Sequence, residues 1–168
     1  MRNSIAELAQ KITRLVGNEL ELVTAVPNLT IYSIPAPTPP TGYLLEPSVC
    51  VILQGTKRVF LGEEDYSYAI KDFLVTSVDL PLSAEILKAS STEPYVGLTL
   101  KFDRKEVASI LLDTHIPSRS AANNGPGIGI GTLSRPLFDA FRRLVELIEE
   151  PENVTTLSPL IQKEIIFR

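Results

Sequence analysis

The sequence predicts a mainly β domain, a small sandwich or barrel, with a short helix before it and a helical region after it. Three observations carry this. Between Ser48 and Phe102, short stretches of strand-forming residues follow one another, separated by turn residues. At both ends of the chain, apolar residues recur instead at spacings of three and four. No apolar run exceeds about five residues, far short of the roughly 20 that a membrane helix needs. A chain of 168 residues, 44% hydrophobic and 21% charged, can build one well-buried core.

The first helix spans about Ser4 to Val16. Ser4 and Glu7 have the spacing of a capping box, and Ile5, Leu8, Ile12, Leu15 and Val16 form the apolar stripe. Gly17-Asn18 ends it. Leu20–Val26 and Leu29–Ile34 read as strands joined at Pro27-Asn28. Prolines at 35, 37, 39, 40 and 47 then break the pattern, because proline has no amide to give to a ladder. This stretch is expected to be an extended crossing over the surface, or an arm over a barrel mouth.

Ser48–Gln54 and Lys57–Leu61 flank Gly55-Thr56, which suits a tight hairpin turn. Gly62-Glu63-Glu64-Asp65 is the next turn. Tyr66, Tyr68 and Ile70 alternate with Ser67 and Ala69, and Lys71-Asp72 turns again. Phe73–Val78 follows, Asp79-Leu80-Pro81 punctuates, and Leu82–Ala89 resumes. Tyr95–Phe102 places Val96, Leu98, Leu100 and Phe102 on one face.

The period then changes. Asp103 and Glu106 precede Val107, Ile110 and Leu111 as a helix start. His115–Gly131 reads as a loop around Asn123-Asn124-Gly125-Pro126-Gly127. Ser134 and Pro136 open a helix whose apolar residues are Leu137, Phe138, Phe141, Leu144, Val145 and Ile148, and Pro151 ends it. Ser158-Pro159 opens a last helix, Leu160–Arg168. Domain organisation is therefore one unit, with a helix over 1–18, a barrel over 20–102 and helices over 103–168.

Few residues carry chemistry. His115 is the single histidine, so a metal site of the usual histidine-rich kind has no ligands, and neither has a histidine-based triad. No metal and no cofactor is expected. Cys50 lies within an apolar strand, where a free thiol behaves as a small hydrophobe, and a lone cysteine forms no internal disulfide. Gly125, Gly127, Gly129 and Gly131 lack the spacing and the leading strand of a dinucleotide fingerprint. Glu63, Glu64 and Asp65 read as a solvated hairpin tip. Tyr66, Tyr68 and Tyr95 can pack across strands and still offer a hydroxyl to a ligand. The net charge of −4 and the absence of a basic cluster argue against DNA binding by this stretch itself. No signal peptide follows Met1, which makes the cytoplasm the expected compartment.

Several segments, in order, resemble the N-terminal domain of one branch of the AraC-type transcription regulators. They are Leu45-Glu46-Pro47-Ser48-Val49-Cys50-Val51-Ile52-Leu53-Gln54-Gly55-Thr56-Lys57, Tyr66-Ser67-Tyr68, Asp79-Leu80-Pro81, Ala89-Ser90 with Pro94-Tyr95, Arg143-Leu144, and Leu157-Ser158-Pro159-Leu160-Ile161-Gln162-Lys163-Glu164-Ile165. Together they cover roughly residues 25–168. The resemblance implies a cupin-like β-barrel followed by a helical dimerisation region. It also implies a non-enzymatic regulatory role, with a small-molecule effector and a homodimer. Contact with DNA would run only through a helix-turn-helix domain beyond residue 168. The apolar residues Ile161, Ile165, Ile166 and Phe167, with no stop signal after them, carry the same expectation of a continuing chain. A cupin-type isomerase or dioxygenase is the competing reading.

Two sites follow as expectations. An apolar cavity inside the barrel is expected to be lined by Val51, Leu53, Tyr68, Glu85, Tyr95 and Leu98, although alternation alone does not say which strand face points inward. A homodimer interface is expected along Leu137, Phe141, Leu144 and Ile148, where the apolar stripe is wider than one packing seam needs.

Overall fold

The computed structural model describes residues 1–113, 125 and 127–168. Helix α1 (Arg2–Val16) buries Ile5, Leu8, Ala9, Ile12 and Val16, the stripe its spacing predicts. It begins before the capping box: the Met1 carbonyl accepts from the Ile5 amide at 3.0 Å, and no side chain caps the helix. Arg2 and Asn3 contain nothing that breaks a helix, so winding continues past Ser4.

Ten strands are found among the described residues, all paired antiparallel: β1 (Glu21–Val23), β2 (Leu29–Ile34), β3 (Thr38–Leu45), β4 (Ser48–Gln54), β5 (Thr56–Leu61), β6 (Glu64–Ala69), β7 (Asp72–Thr76), β8 (Leu80–Lys88), β9 (Tyr95–Lys101) and β10 (Ile128–Thr132). They form a six-stranded sheet in the order β1-β2-β9-β4-β7-β10 and a four-stranded sheet in the order β3-β8-β5-β6. The two sheets face each other as a flattened barrel. Leu45, Cys50, Ile52, Val59, Tyr68, Leu74, Leu82, Ile86 and Tyr95 meet between them.

Four strand expectations change. Gly55-Thr56 is not a hairpin turn, because β4 pairs with β7 and β9 while β5 pairs with β6 and β8. Gly55 is instead the corner where the chain leaves one sheet for the other. Its φ of +89° and its close approach to the Lys88 carbonyl, 2.6 Å from where a Cβ would stand, both require glycine. The proline-rich stretch does not lie outside the sheet. It supplies edge strand β3, and the register slips between Thr38 and Thr41, where Pro39 and Pro40 fall. The turn after β5 is only Gly62-Glu63, with Leu61 opposite Glu64, and Leu80-Pro81 lies within β8.

The loop expected over His115–Gly131 also changes. Ile128–Thr132 pairs along β7 as β10, so this part of the expected loop is an edge strand. Backbone ladder bonds to the free edge of β7 outweigh the weak strand preference of glycine. His115 lies outside the described residues.

Helix α2 (Arg104–Asp113) leaves the barrel. Ser134 caps α3 (Arg135–Glu146), its hydroxyl accepting from the Leu137 amide at 3.3 Å. A short 3-10 turn, Leu147–Glu149, joins α3 to α4 (Pro151–Phe167). Pro151 thus starts a helix rather than ending one, a position where its missing amide costs nothing. Pro159 sits inside α4 instead of opening a separate helix. There the Gln162 amide donates at 2.8 Å to both the Ser158 hydroxyl and the Pro27 carbonyl, which ties α4 to the β1–β2 turn.

Helices α1, α3 and α4 cover the outer face of the larger sheet. Val49, Val51, Leu53, Val96, Leu98 and Leu100 pack there against Ile12, Leu137, Phe138, Phe141, Leu144 and Ile161. Each such side chain contributes about 1.5–3 kcal/mol by leaving water.

Candidate functional site

A cavity of about 690 Å³ opens between the two sheets beside edge strand β3. Strand alternation decides what reaches it. On β9, Tyr95, Gly97 and Thr99 point inward while Val96, Leu98 and Leu100 point to the helices. On β4, Cys50 and Ile52 point inward, and Val49, Val51 and Leu53 point outward. On β2, Tyr32 and Ile34 face the barrel, whereas Leu29 and Ile31 face α1. The lining is mixed: Ile34, Leu45, Ala84 and Ile86 supply apolar wall, and Tyr32, Tyr43, Tyr95, Thr99, Cys50 and Lys57 supply polar atoms.

Gly97 shapes this interior. The Tyr95 ring lies across it, and a Cβ at position 97 would stand 2.8 Å from the Tyr95 hydroxyl and 3.0 Å from the Val51 carbonyl. Any side chain at 97 would therefore displace the phenol. Burial pushes the Tyr95 phenol up to about 12, with the Lys57 charge pulling the other way, so the hydroxyl keeps its proton at neutral pH. Tyr68, wholly buried, is pushed well above its ordinary value by the same loss of solvent. Among the described residues its hydroxyl finds no hydrogen-bond partner. Thr99 donates to the Cys50 sulfur at 3.4 Å.

Two lysines among the described residues line the cavity, Lys57 and Lys101, and Lys101 is paired with Glu46. Lys57 follows the Gly55 corner on β5 and faces Tyr68 across the β5–β6 ladder. Its Nζ donates to the Tyr43 hydroxyl at 3.4 Å and lies 5.7 Å from the centre of the Tyr43 ring. Burial disfavours its charge, but the oxygens of Tyr95 and Tyr43 more than offset this and hold its pKa above the usual lysine value. No carboxylate among the described residues pairs with it. The acids at the cavity wall are committed elsewhere or lie in solvent. Glu46 is bound to Lys101 at 2.5 Å, and Glu85 accepts from the Arg58 Nε at 2.7 Å. Glu21 is exposed at the rim. Lys57 is half-buried, and its surroundings favour the charged form. Among the described residues no group of His, Cys, Asp and Glu converges as a metal site would require.

The ligand candidates from the sequence divide between two places. Tyr68 and Tyr95 lie in the barrel interior, and Tyr95 lines the cavity. Val51, Leu53 and Leu98 do not: they are buried on the opposite face, beneath the helices, because alternation turns them away from Cys50 and Thr99. Glu85 borders the cavity, yet its carboxylate is engaged by Arg58, its cross-strand neighbour. The interface candidates are likewise spent within the chain. Leu137, Phe141 and Leu144 are at most 5% exposed in the helix–sheet core, and Ile148 packs against that core. The residues overlooked are Lys57, Tyr32, Tyr43, Cys50 and Thr99. For Lys57 a signal existed, since it shares the parity of Val59 and Leu61 in an otherwise apolar face.

A second, apolar groove of about 480 Å³ lies between the larger sheet, α2 and α4. Its two cations are already paired, Arg104 with Asp79 at 2.8 Å and Arg168 with Glu164 at 2.7 Å. It therefore lacks the unmet charge that distinguishes the barrel cavity.

Comparison with known proteins returns one family model, described as the N-terminus of AraC-type transcriptional regulators, which matches residues 25–168. Among solved structures, the chain is similar to ToxT from Vibrio cholerae strain SCE256 bound to an unsaturated fatty acid, with 10% identity and a TM-score of 0.49, over 82% of this chain and 55% of that one. It is also similar to the AraC-like transcriptional activator CuxR, with 12% identity and a TM-score of 0.48, over 85% of this chain and 53% of that one. A cupin superfamily protein from Desulfitobacterium hafniense shows 16% identity and a TM-score of 0.30, over 44% of this chain and 64% of that one. The chain thus spans about half the length of the two regulators. No curated protein sequence matches it.

Proposed function

The chain belongs to the AraC-type transcriptional regulators as their N-terminal domain, and from that premise we propose that it senses a small-molecule effector held in the barrel cavity. One observation carries the reading: a cavity of about 690 Å³ lined by Lys57, which has no carboxylate partner among the described residues. A solid barrel would need neither the space nor the charge. Thermal-shift screening of the purified chain against organic acids, sugars and amino-acid derivatives tests the proposal. A ligand that binds only the folded state, present at 100 times its Kd, adds about 2.7 kcal/mol of stability. Effector sensing requires at least one compound that raises the melting temperature in wild type and loses that effect when Gly97→Val displaces Tyr95 into the cavity.

The DNA-binding step belongs, in this proposal, to a helix-turn-helix half of the full regulator. The chain itself has a net charge of −4 and is expected to show no DNA affinity at physiological salt. The family match favours this role over a cupin-type isomerase or dioxygenase. Stoichiometric metal in the purified protein would reverse that preference.

A second copy of the chain is the proposed partner. Leu160, 63% exposed, and Leu157, 39% exposed, stand on α4 beside Leu147 and Ile161. This face supports an interface better than the buried Leu137–Ile148 stripe does. Sedimentation of wild type and Leu160→Glu tests it: a dimer that becomes a folded monomer is expected, and a wild-type monomer at high micromolar concentration would remove the proposal. No helix among the described residues is long and apolar enough to cross a membrane.

A further inference from the structure

We infer that the effector is a zwitterion, an ω-amino acid whose carboxylate pairs with Lys57 and whose ammonium pairs with Glu21. The inference rests on the sensing role proposed above and adds the chemical class of the ligand. Five charged side chains line the barrel cavity: Glu21, Glu46, Lys57, Glu85 and Lys101. Glu46 and Lys101 pair with each other at 2.5 Å, and Glu85 accepts from the Arg58 Nε at 2.7 Å. One cation and one anion are left over. Among the described residues Lys57 has its Tyr43 contacts but no carboxylate, and Glu21 has no cationic partner. A ligand that matches both carries one charge of each sign.

The two leftover charges stand on different sheets. Glu21 lies on β1, at the edge of the larger sheet, with Tyr32 as its cross-strand neighbour. Lys57 lies on β5 of the smaller sheet, beside Ile86 of β8. Facing sheets stand roughly 10 Å apart, and no ion pair joins these two residues. Both still act on one point in the cavity. Burial pushes the Tyr32 phenol up, while Lys57 pulls it down and Glu21 adds to the rise. Tyr32, Ile34 and Ile86 share the wall that both charges border. A matching ligand therefore holds its charges apart, joined by an apolar spacer against Ile34 and Ile86. An α-amino acid, with both charges on one carbon, does not reach from one sheet to the other.

Ligands with a single charge match less well. An acid without an ammonium would pair with Lys57 and bring nothing to Glu21. An amine without a carboxylate would pair with Glu21 and leave Lys57 unmatched. The two pairs are unequal in strength. Glu21 is exposed, where an ion pair changes affinity by no more than about fivefold. Lys57 is half-buried, in surroundings that favour its charge, and a charge-assisted bond there counts for more. The carboxylate end anchors the ligand, and the ammonium end adds selectivity.

Probes with one common carbon chain separate these contributions: 6-aminohexanoate, hexanoate, hexylamine and the isomer 2-aminohexanoate. Calorimetric titration of the 168-residue protein is expected to rank 6-aminohexanoate first. It should bind about threefold more tightly than hexanoate and 2-aminohexanoate, and about tenfold more tightly than hexylamine. Glu21→Gln should bring 6-aminohexanoate to the level of hexanoate and leave hexanoate unchanged. Lys57→Met should bring it to the level of hexylamine, and Lys57→Arg should keep the ranking. Glu7→Gln, the same change of charge at an exposed position of α1, should alter nothing. Thermal melts show whether each variant folds, and the exposed Glu21 keeps the test valid if Lys57→Met does not. Hexanoate binding as tightly as 6-aminohexanoate, with Glu21→Gln without effect, would overturn the inference while leaving effector sensing in place. Equal binding of the two aminohexanoate isomers would overturn it as well. Absence of binding by all four probes, beside a stabilising compound of another class from the thermal-shift screen, would overturn the zwitterion and keep the sensor. No hit of any class would count against both.

Discussion

The two faces of the larger sheet share strands but do different work. Its outer face is a dry core in which Val51, Leu53 and Leu98 meet Phe141 and Leu144. Its inner face carries Cys50, Tyr95 and Thr99 toward a cavity that also holds Lys57. Neighbouring residues of one strand therefore belong to different functions, and the assignment turns on parity alone. The outer face is complementary to itself. The inner face keeps space, a charge and an unsatisfied hydroxyl, which burial alone would select against.

Substitutions on the two faces should separate stability from binding. The largest effect is expected for Leu144→Asp, where Leu144 has no exposed surface. An unpaired carboxylate there should cost about 4 kcal/mol or more and unfold the domain, seen as loss of the cooperative melt by circular dichroism. A folded monomer would instead restore the helix as an interface. Leu98→Ala, also on the outer face, should cost about 3 kcal/mol in urea unfolding while leaving ligand affinity unchanged.

Tyr68→Phe should act in the opposite direction. It removes the buried hydroxyl that has no partner, so the ligand-free protein should gain about 1 kcal/mol. A loss of similar size would mean that the hydroxyl is satisfied in solution. The smallest change is expected for Glu85→Gln, because its carboxylate and Arg58 pair at a partly exposed position. About 0.5 kcal/mol of stability and no change in ligand affinity are expected by urea unfolding and calorimetry. A clear loss of ligand affinity would return Glu85 to the binding site.

Much of this arrangement was legible beforehand, and the failures share causes. The apolar face of β9 is legible in the alternation, but a sheet covered on both sides does not reveal which face is which. Val49-Cys50-Val51-Ile52-Leu53 is apolar throughout, so nothing in the pattern separates Val51 and Leu53, beneath the helices, from Cys50 and Ile52, inside the barrel. In the sequence Gly55-Thr56 reads as a hairpin turn, and a lysine beside a turn reads as solvated. Gly55 is instead a corner between sheets, and the corner carries Lys57 inside. The segment around Pro39-Pro40 lacks ladder donors, yet an edge strand tolerates that loss. The α3 stripe is wide, and its width is consumed by packing between the sheet and α4.

The division between the two faces can be tested directly by methyl NMR on protein labelled at isoleucine, leucine and valine, titrated with a stabilising compound from the thermal-shift screen. Saturable shifts are expected at Ile34, Leu45, Ile52 and Ile86, which face the barrel, with Val51, Leu98 and Leu144 unmoved beneath the helices. Shifts concentrated on Val51, Leu98 and Leu144, with the barrel methyls silent, would contradict the assignment of binding to the inner face.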